Sequence, residues 1–179
     1  MFADTLFGPV KQWGYLVKHL DQAMDCWIHQ FGIGPFWGFR NVTLKSNYQG
    51  VESDVVLDVG FAYQNGVQIE LIHQTNVGDA LTPYSAFYQS TEPQMFQQLA
   101  YHCPDVDAAR TCAVAAGLNE LGYVESDMGS RYYYFDSPAM QGMVVELMEI
   151  DQMTADAFEM CAKEAEQWDG EDPYRLISF

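Results

Sequence analysis

Two stretches of the chain combine an almost continuous apolar run with one carboxylate at its centre. They are 67–74, VQIELIHQ, which contains Glu70, and 143–150, MVVELMEI, which contains Glu146. A short apolar run of this kind is typical of a strand that is buried on both faces. A lone buried carboxylate is unfavourable unless it is paired or bound to a cation. The two stretches therefore predict a duplicated module with a shared polar centre.

The residues before the first of these stretches predict one helix and three strands. Apolar residues at helical spacing begin after Asp21 and end at Phe31, just before Gly32. A polar turn and the hairpin dipeptide Asn65-Gly66 separate the later strands. The predicted strands of this half are 11–17, 36–44, 51–63 and 67–74, and the turn is 46–50. Residues 10–74 are therefore predicted to form a first βαβββ module.

The same order restarts after a connection, 75–95, in which we predict only a helical turn at 84–89. An offset of 86 residues aligns Gln12 with Gln98 and Asp21 with Asp107. Residues 96–150 are predicted to form the second βαβββ module, with strands at 96–103, 118–126, 131–136 and 143–150 and a helix at 104–117. Residues 151–179 predict an amphipathic helix at 152–168, which packs on the outside of the modules or on a second copy, and an extended tail.

Four sequence features in this order resemble the vicinal oxygen chelate superfamily, which includes glyoxalase I, methylmalonyl-CoA epimerase, bleomycin-resistance proteins and extradiol dioxygenases. They are AYHCPDVDAAR at 100–110, QIELI at 68–72, VVELME at 144–149 and the C-terminal WDGEDPYR at 168–175. The resemblance covers residues 10–150 and is greatest for the glyoxalase-like branch near the epimerases. It implies an α+β fold in which two βαβββ modules form a half-open curved barrel around a cup, followed by a C-terminal helix. It also implies a homodimer.

Members of this superfamily hold a metal ion with the first and last strand of each module. Carrying these positions over gives Gln12 and Glu70 in the first module, and Gln98 and Glu146 in the second. The first position of each module is commonly His in the family, and both are Gln here, which counts against a metal. The resemblance implies a divalent ion, with Mg²⁺, Mn²⁺, Ni²⁺ and Zn²⁺ as the candidates.

Strand alternation gives an independent view of the same residues. Side chains two positions apart share a face, so Gln98 lies on the face of His102, and Glu70 lies on the face opposite His73. If these faces line the cup, two amide and two carboxylate oxygens converge. Such an oxygen set suits Mg²⁺, Mn²⁺ or Ca²⁺ better than Zn²⁺. Without an ion the carboxylates would repel each other, and one of them would have a raised pKa.

Five further residues are candidates for substrate binding. Aromatic side chains could line an apolar cup, a histidine on the cup face could act as a substitute ligand or base, and an arginine could pair with a substrate carboxylate. Core packing for the rings, a buried hydrogen-bonded histidine and a surface ion pair are the alternatives. The candidates are Trp37, Phe39, His102, Arg131 and Tyr134.

The amino-acid composition limits the classes of ligand and partner that the chain can be expected to bind. The formal net charge of −17 argues against nucleic acid and anionic membranes. The 15% aromatic content favours a ring-lined pocket, and the eight Lys and Arg residues argue against an obligatory CoA or glutathione anchor. No signal peptide or membrane-spanning run is predicted, and the four Cys form no CxxC pair. We therefore predict a cytoplasmic protein with a small-molecule ligand, apolar or aromatic in character.

Three functions are considered. The first is an isomerase or lyase that moves a proton alpha to a carbonyl of a largely apolar small molecule, with Glu70 and Glu146 as the catalytic residues. The second is a metal-free binding protein of the bleomycin-resistance type, which the two Gln residues and the ring-rich cup both fit. The third, an extradiol dioxygenase, requires two His and one carboxylate around iron, and it is disfavoured because both His positions are Gln. Two carboxylates at matching positions favour the first.

Overall fold

The computed structural model describes residues 5–178, apart from the side chain of Met140. The chain folds into nine strands and four helices. The strands are β1 Gln12–Val17, β2 Phe36–Tyr48, β3 Val51–Gln64, β4 Val67–Gln74, β5 Gln94–Cys103, β6 Asn119–Glu125, β7 Arg131–Ser137, β8 Met140–Glu149 and β9 Tyr174–Ser178. The helices are α1 Leu20–Phe31, α2 Ser85–Tyr88, α3 Val106–Ala115 and α4 Gln152–Ala165.

All nine strands belong to one curved sheet with the order β3-β4-β1-β5-β8-β7-β6-β2-β9, and β2 also pairs with β3. The first eight strands therefore wrap around an interior. The central pair, β1 and β5, is antiparallel and joins the two halves, and each of the two runs parallel to the last strand of its own half, β4 or β8. This confirms the predicted α+β fold with two βαβββ units, a curved barrel and a C-terminal helix.

One end of β2 differs from the prediction. Residues 46–48 were predicted to belong to a polar turn, but they continue β2 and pair with β3 on one side and with β6 on the other. Polar residues are stable there because both backbone edges are hydrogen-bonded. At the opposite end of β2, Phe36–Arg40 pairs with β9, which gives the predicted extended tail its position. The barrel is thus closed between β2 and β6 over only part of its height.

Apolar residues fill both sides of the sheet. Met24 of α1 packs on one part of the outer face and Val106 of α3 on another, each within its own buried cluster. A third cluster lies inside the barrel, and it includes Tyr84 and Phe87 from the connection between the two halves. The connection therefore does not simply span the halves, because it inserts two aromatic rings into the interior.

The C-terminal helix also reaches the interior. The ring of Phe158 on α4 lies 5.5 Å from the ring of Phe61 on β3 and 5.7 Å from that of His102 on β5. This placement differs from the predicted packing on the outside, because one aromatic side chain of α4 covers the opening of the barrel. Within the described residues, no helix has the length and apolar character that crossing a membrane requires.

Candidate functional site

The centre of the inner face lies on four adjacent strands, β4, β1, β5 and β8. Glu70 is the register neighbour of Gly14, which in turn neighbours Gln98. On the adjacent row, Gln12 neighbours Ala100, and Ala100 neighbours Glu146. The two small residues leave room above the strands, and the four long polar side chains extend over them. The structure therefore brings together the four residues predicted for the polar centre.

Each carboxyl group is held by the glutamine of its own half. Gln12 Nε2 donates a hydrogen bond to Glu70 Oε2, and Gln98 Nε2 donates to Glu146 Oε2 at 2.7 Å. Both glutamines have no solvent exposure, and Glu146 is 3% exposed. In each half the glutamine lies on the first strand and the glutamate on the last, as the repeat predicts.

Gly14 makes the second of these contacts sterically feasible. A Cβ atom at position 14 would lie 2.5 Å from Cγ and 2.8 Å from Cδ of Gln98. Both distances are shorter than van der Waals contact allows, so the Gln98 side chain can cross β1 only because position 14 is glycine. Glycine at position 14 therefore leaves the space that the Gln98 amide needs to reach Glu146.

Burial raises the pKa of both carboxyl groups above the ordinary value of 4.5. The charge of Glu146 raises the pKa of Glu70 further, against the smaller opposing effect of the hydrogen bond from Gln12. For Glu146 the hydrogen bond from Tyr134 opposes the effect of burial. Glu146 is therefore the better stabilised anion, and Glu70 retains a proton to higher pH.

Two buried tyrosines extend the polar centre. The hydroxyl of Tyr134 on β7 lies 2.9 Å from that of Tyr84, which comes from the connection. Each side chain is 1% exposed, and burial raises the pKa of both hydroxyls. The two phenols therefore stay protonated at neutral pH and can donate hydrogen bonds, one of them to Glu146.

The carboxyl groups face an interior cavity of about 190 Å³. Its wall is mainly apolar and contains six aromatic rings, and it is bounded by Tyr84 on one side and Phe158 on the other. The lining residues are Phe39, Val42, Leu44, Leu57, Val59, Phe61, Gln68, Glu70, Ile72, Tyr84, Val124, Ser126, Tyr132, Tyr134, Glu146, Met148 and Phe158.

The predicted substrate-binding residues divide into two groups. Phe39 and Tyr134 line the cavity. Trp37 lies beside it, with its ring 6.3 Å from that of Phe61. His102 lies under Phe158, and burial, followed by the charge of Lys11, lowers its pKa to about 4. Their roles in binding stay predictions.

Arg131 is the one candidate that points away from the cavity. Its guanidinium forms ion pairs with Asp107 of α3 and Glu149 of β8. Alternation along β7 explains this placement, because Tyr132 and Tyr134 face the interior and Arg131 therefore faces the opposite side. Arg131 forms the surface ion pair that was considered as the alternative, and its pairing with a substrate carboxylate stays a prediction that this placement does not support.

Several cavity residues were missed in the sequence. Tyr84 lies in a segment interpreted as a connection, and Phe158 lies on a helix predicted to pack outside. The aromatic cluster YSAFY at 84–88, in an otherwise polar segment, is a signal that could have identified Tyr84.

The donor chemistry of the centre fits a hard divalent cation. The Oε1 atoms of Gln12 and Gln98 are buried and have no hydrogen-bond partner among the described residues. Exchange of amide oxygen and nitrogen would turn these oxygens towards the carboxyl groups. Within residues 5–178 there is no group of three or more His, Cys, Asp and Glu side chains that could hold a metal ion. A metal would therefore depend on the two amide oxygens.

Comparison with known proteins identifies a family and a fold. Residues 11–135 match the family model described as the Glyoxalase/Bleomycin resistance protein/Dioxygenase superfamily. The chain resembles the structure of methylmalonyl-CoA epimerase from Mycobacterium tuberculosis, with a TM-score of 0.57 and 19% identity over 87% of this chain and 97% of that one. A hypothetical protein from Bacillus halodurans gives a TM-score of 0.56 with 13% identity over 80% and 95% of the two chains.

A third similar structure is a Streptomyces coelicolor methylmalonyl-CoA epimerase variant in complex with 2-nitronate-propionyl-CoA. It gives a TM-score of 0.51 with 18% identity over 78% of this chain and 92% of that one. A search of curated proteins finds no match. At these identities the structural neighbours establish the fold alone.

Proposed function

The chain belongs to the Glyoxalase/Bleomycin resistance protein/Dioxygenase superfamily, and we propose that it is an isomerase or lyase that moves a proton alpha to a carbonyl of a small, largely apolar molecule. One observation carries this proposal. Two carboxyl groups, Glu70 and Glu146, line the same mainly apolar cavity, and each is held by a buried glutamine amide. Carboxyl groups are suitable acids and bases when burial brings their pKa values towards the working pH.

The two carboxyl groups take different roles. Glu146 accepts a hydrogen bond from Gln98, and the neighbouring Tyr134 favours its charged form, so Glu146 is the carboxylate that removes the proton. Glu70 holds its proton more strongly, because burial and the charge of Glu146 both raise its pKa. It can donate that proton to the opposite face of the planar intermediate, or stabilise the developing negative charge on the carbonyl oxygen by a hydrogen bond. The pair then exchanges roles in the reverse reaction.

The volume of the cavity limits the size of the reacting part of the substrate. A cavity of 150 Å³ lined by apolar side chains can hold benzene, so a volume of about 190 Å³ suits a body of that size. A structure of a methylmalonyl-CoA epimerase contains methylmalonyl-CoA. A ligand of that size could place only its acyl end in this cavity. We therefore propose a compact carbonyl compound, or a longer one that enters by its reacting end past Phe158.

A divalent metal ion is a second way to stabilise the developing charge. Gln12, Glu70, Gln98 and Glu146 would hold it, once both amide oxygens face the carboxyl groups. When bound, such an ion would act as a Lewis acid on the carbonyl oxygen. The residues of the chain keep their tasks in that case, since Tyr134 and the apolar wall still orient the substrate and exclude water.

A metal-free binding protein is the second candidate function. Two features favour it: the glutamine amides already satisfy both carboxyl groups, and six aromatic rings line the cavity. A binding protein and an enzyme of this shape would recognise similar ligands. They differ in whether the bound ligand exchanges its alpha proton with solvent.

The test is therefore a solvent-exchange assay. The protein is incubated in D₂O with a panel of small ketones, aldehydes and thioesters, with and without Mg²⁺ or Mn²⁺, and deuterium at the alpha carbon is measured by mass spectrometry. We expect catalysed exchange for at least one compound, loss of that exchange in Glu146→Gln, and unchanged exchange in the exposed variant Glu52→Gln. Binding of panel compounds without exchange would contradict the enzyme and support the binding protein.

A further inference from the structure

The cavity lining contains acidic side chains and no basic ones among the described residues. Two carboxyl groups, Glu70 and Glu146, face the cavity, and none of the described residues that line it is Lys, Arg or His. All nine ion pairs of the described chain involve other acidic residues, so no basic side chain pairs with either glutamate. A buried carboxylate without a cation is unfavourable. An anionic ligand would add to this repulsion, whereas a cationic one would remove it.

The polar centre also contains hydrogen-bond acceptors that have no donor within residues 5–178. Gln12 and Gln98 are fully buried, and each has an Oε1 atom without a partner among the described residues. Each of these oxygens belongs to an amide whose nitrogen holds one of the two carboxyl groups, so the polar centre contains two acceptors that are unpaired in the described part of the chain. Unpaired buried acceptors destabilise a site unless a ligand supplies donors. The second, independent observation therefore also indicates a ligand that brings N–H or O–H groups.

The aromatic rings determine which cation fits. Phe39, Phe61, Tyr84, Tyr132, Tyr134 and Phe158 line the same cavity. Aromatic faces attract cations and recur around organic ammonium groups. A metal ion alone would use the four oxygen donors but would leave most of the volume of about 190 Å³ empty. An organic cation can satisfy the acceptors with its ammonium group and fill the ring-lined space with its carbon body.

We propose that the ligand of this cavity is a small organic cation, with an ammonium group at Glu70 and Glu146 and a compact apolar body against the aromatic rings. The inference rests on the proposed function because it names the substrate class of the same site, a carbonyl compound that bears an amine and lacks any carboxylate or phosphate. The cation competes with a divalent metal for the same two carboxyl groups. The two occupants can therefore be separated by experiment.

Binding can be measured with three probes of similar shape and different charge. Isothermal titration calorimetry at pH 7 compares benzylamine, which is a cation, with the neutral benzyl alcohol and the anion benzoate. We expect benzylamine to bind at least about tenfold more tightly than benzyl alcohol, from the usual strength of a desolvated cation at aromatic faces. We expect no binding of benzoate. Equal or tighter binding of benzyl alcohol would overturn the proposal.

Two variants assign the site. Glu146→Gln keeps the shape of the side chain and removes the negative charge of the centre, and it should weaken benzylamine at least about tenfold more than it weakens benzyl alcohol. The matched control Glu52→Gln removes an exposed charge on β3 and should leave both affinities unchanged. Equal loss in both variants would show a general charge effect and overturn the proposal. The comparison of probes on the unaltered protein does not depend on either variant folding.

A parallel titration with Mg²⁺, Mn²⁺, Ni²⁺ and Zn²⁺ tests the competing occupant. One tightly bound divalent ion per chain, together with no binding of benzylamine to the metal-free protein, would overturn the organic cation. These measurements require no turnover, so an absence of deuterium exchange would contradict the enzyme and leave this inference standing. A preference for benzyl alcohol would overturn the organic cation and leave the proposed enzyme activity standing.

Discussion

The two halves of the polar centre share one geometry, and the difference with the largest chemical consequence is one hydroxyl group. In each half the glutamate neighbours a small residue on the first strand, Gly14 for Glu70 and Ala100 for Glu146. On the other side it neighbours an aromatic residue, Phe61 for Glu70 and Tyr134 for Glu146. Tyr134 can donate a hydrogen bond to its glutamate, and Phe61 has no donor to offer.

This difference explains how a duplicated module can contain an acid and a base. Two identical carboxyl groups in one cavity would compete for one proton. Tyr134 stabilises the charged form of Glu146, while Glu70 has only its glutamine partner. The repeat therefore gives both halves the same geometry. The presence of Tyr134 in one half and Phe61 in the other makes Glu146 the base and Glu70 the acid. Each prediction below changes one half and leaves the other as its reference.

Replacing either glutamate by glutamine should have the largest effect. Glu146→Gln removes the base and should lower the rate of alpha-proton exchange by about 10²–10⁴-fold, the usual contribution of a general base. Glu70→Gln removes the acid and should lower the rate less, because an amide can still donate a hydrogen bond. Initial rates of deuterium exchange measure both. An unchanged rate in Glu146→Gln would remove Glu146 from the mechanism.

The small residues beneath the glutamates should differ in their tolerance of change. Gly14→Ala places a methyl group against Gln98 and should destabilise the fold by about 1–3 kcal/mol through overpacking. The opposite change at the matching position of the other half, Ala100→Gly, removes a methyl group and should lower the free energy of unfolding by about 1 kcal/mol. Urea unfolding followed by circular dichroism gives both values. A Gly14→Ala variant as stable as the unaltered protein would show that Gln98 can move aside.

Stability should fall as the pH rises. Both pKa values are raised in the folded state, so the folded protein binds more protons than the unfolded chain above the ordinary value of 4.5. Their contribution is complete below that pH and is lost as the pH rises towards the folded pKa, which is about 7 for Glu146. The free energy of unfolding should decrease by up to about 1.4 kcal/mol per pH unit for each group.

The variant Glu146→Gln isolates this term from the general effect of surface charge. Its unfolding free energy, measured in urea between pH 5 and 7, should depend less steeply on pH than that of the unaltered protein. Glu52→Gln, which removes an exposed charge, should keep the original dependence. Identical slopes in all three proteins would contradict raised pKa values in the folded state.

The hydroxyl that distinguishes the halves should have the smallest effect on stability. Tyr134→Phe makes the second half resemble the first, removes one hydrogen bond each from Glu146 and Tyr84, and should cost about 1 kcal/mol. It should also raise the pKa of Glu146, and so shift the acidic limb of the pH–rate profile for exchange to higher pH. Phe158→Leu, which alters the cavity cover and no hydrogen bond, is the control. A profile that does not move would leave Tyr134 with a packing role only.

The repeat and the family resemblance together predicted which residues form the polar centre, and strand alternation agreed with that prediction. Period-two alternation places Gln12, Glu70, Gln98 and Glu146 on inner faces, and the offset pairs the halves. The entry of Tyr84 and Phe158 could not be predicted in the same way, because a connection and a terminal helix carry no periodic signal for the face they cover. The outward direction of Arg131 could have been predicted from alternation with Tyr134, although both residues were named as candidates for substrate binding.

The most direct test of the account is a carbon-13 NMR titration of the glutamate side-chain carboxyl groups in the metal-free protein, with Glu70→Gln and Glu146→Gln used for assignment. The account predicts two carboxyl resonances that titrate above the ordinary range, with Glu70 retaining its proton to higher pH than Glu146. Titration of both groups near the ordinary value of 4.5 would contradict an acid–base pair at this site. Titration of Glu146 above Glu70 would reverse the roles assigned to the two halves.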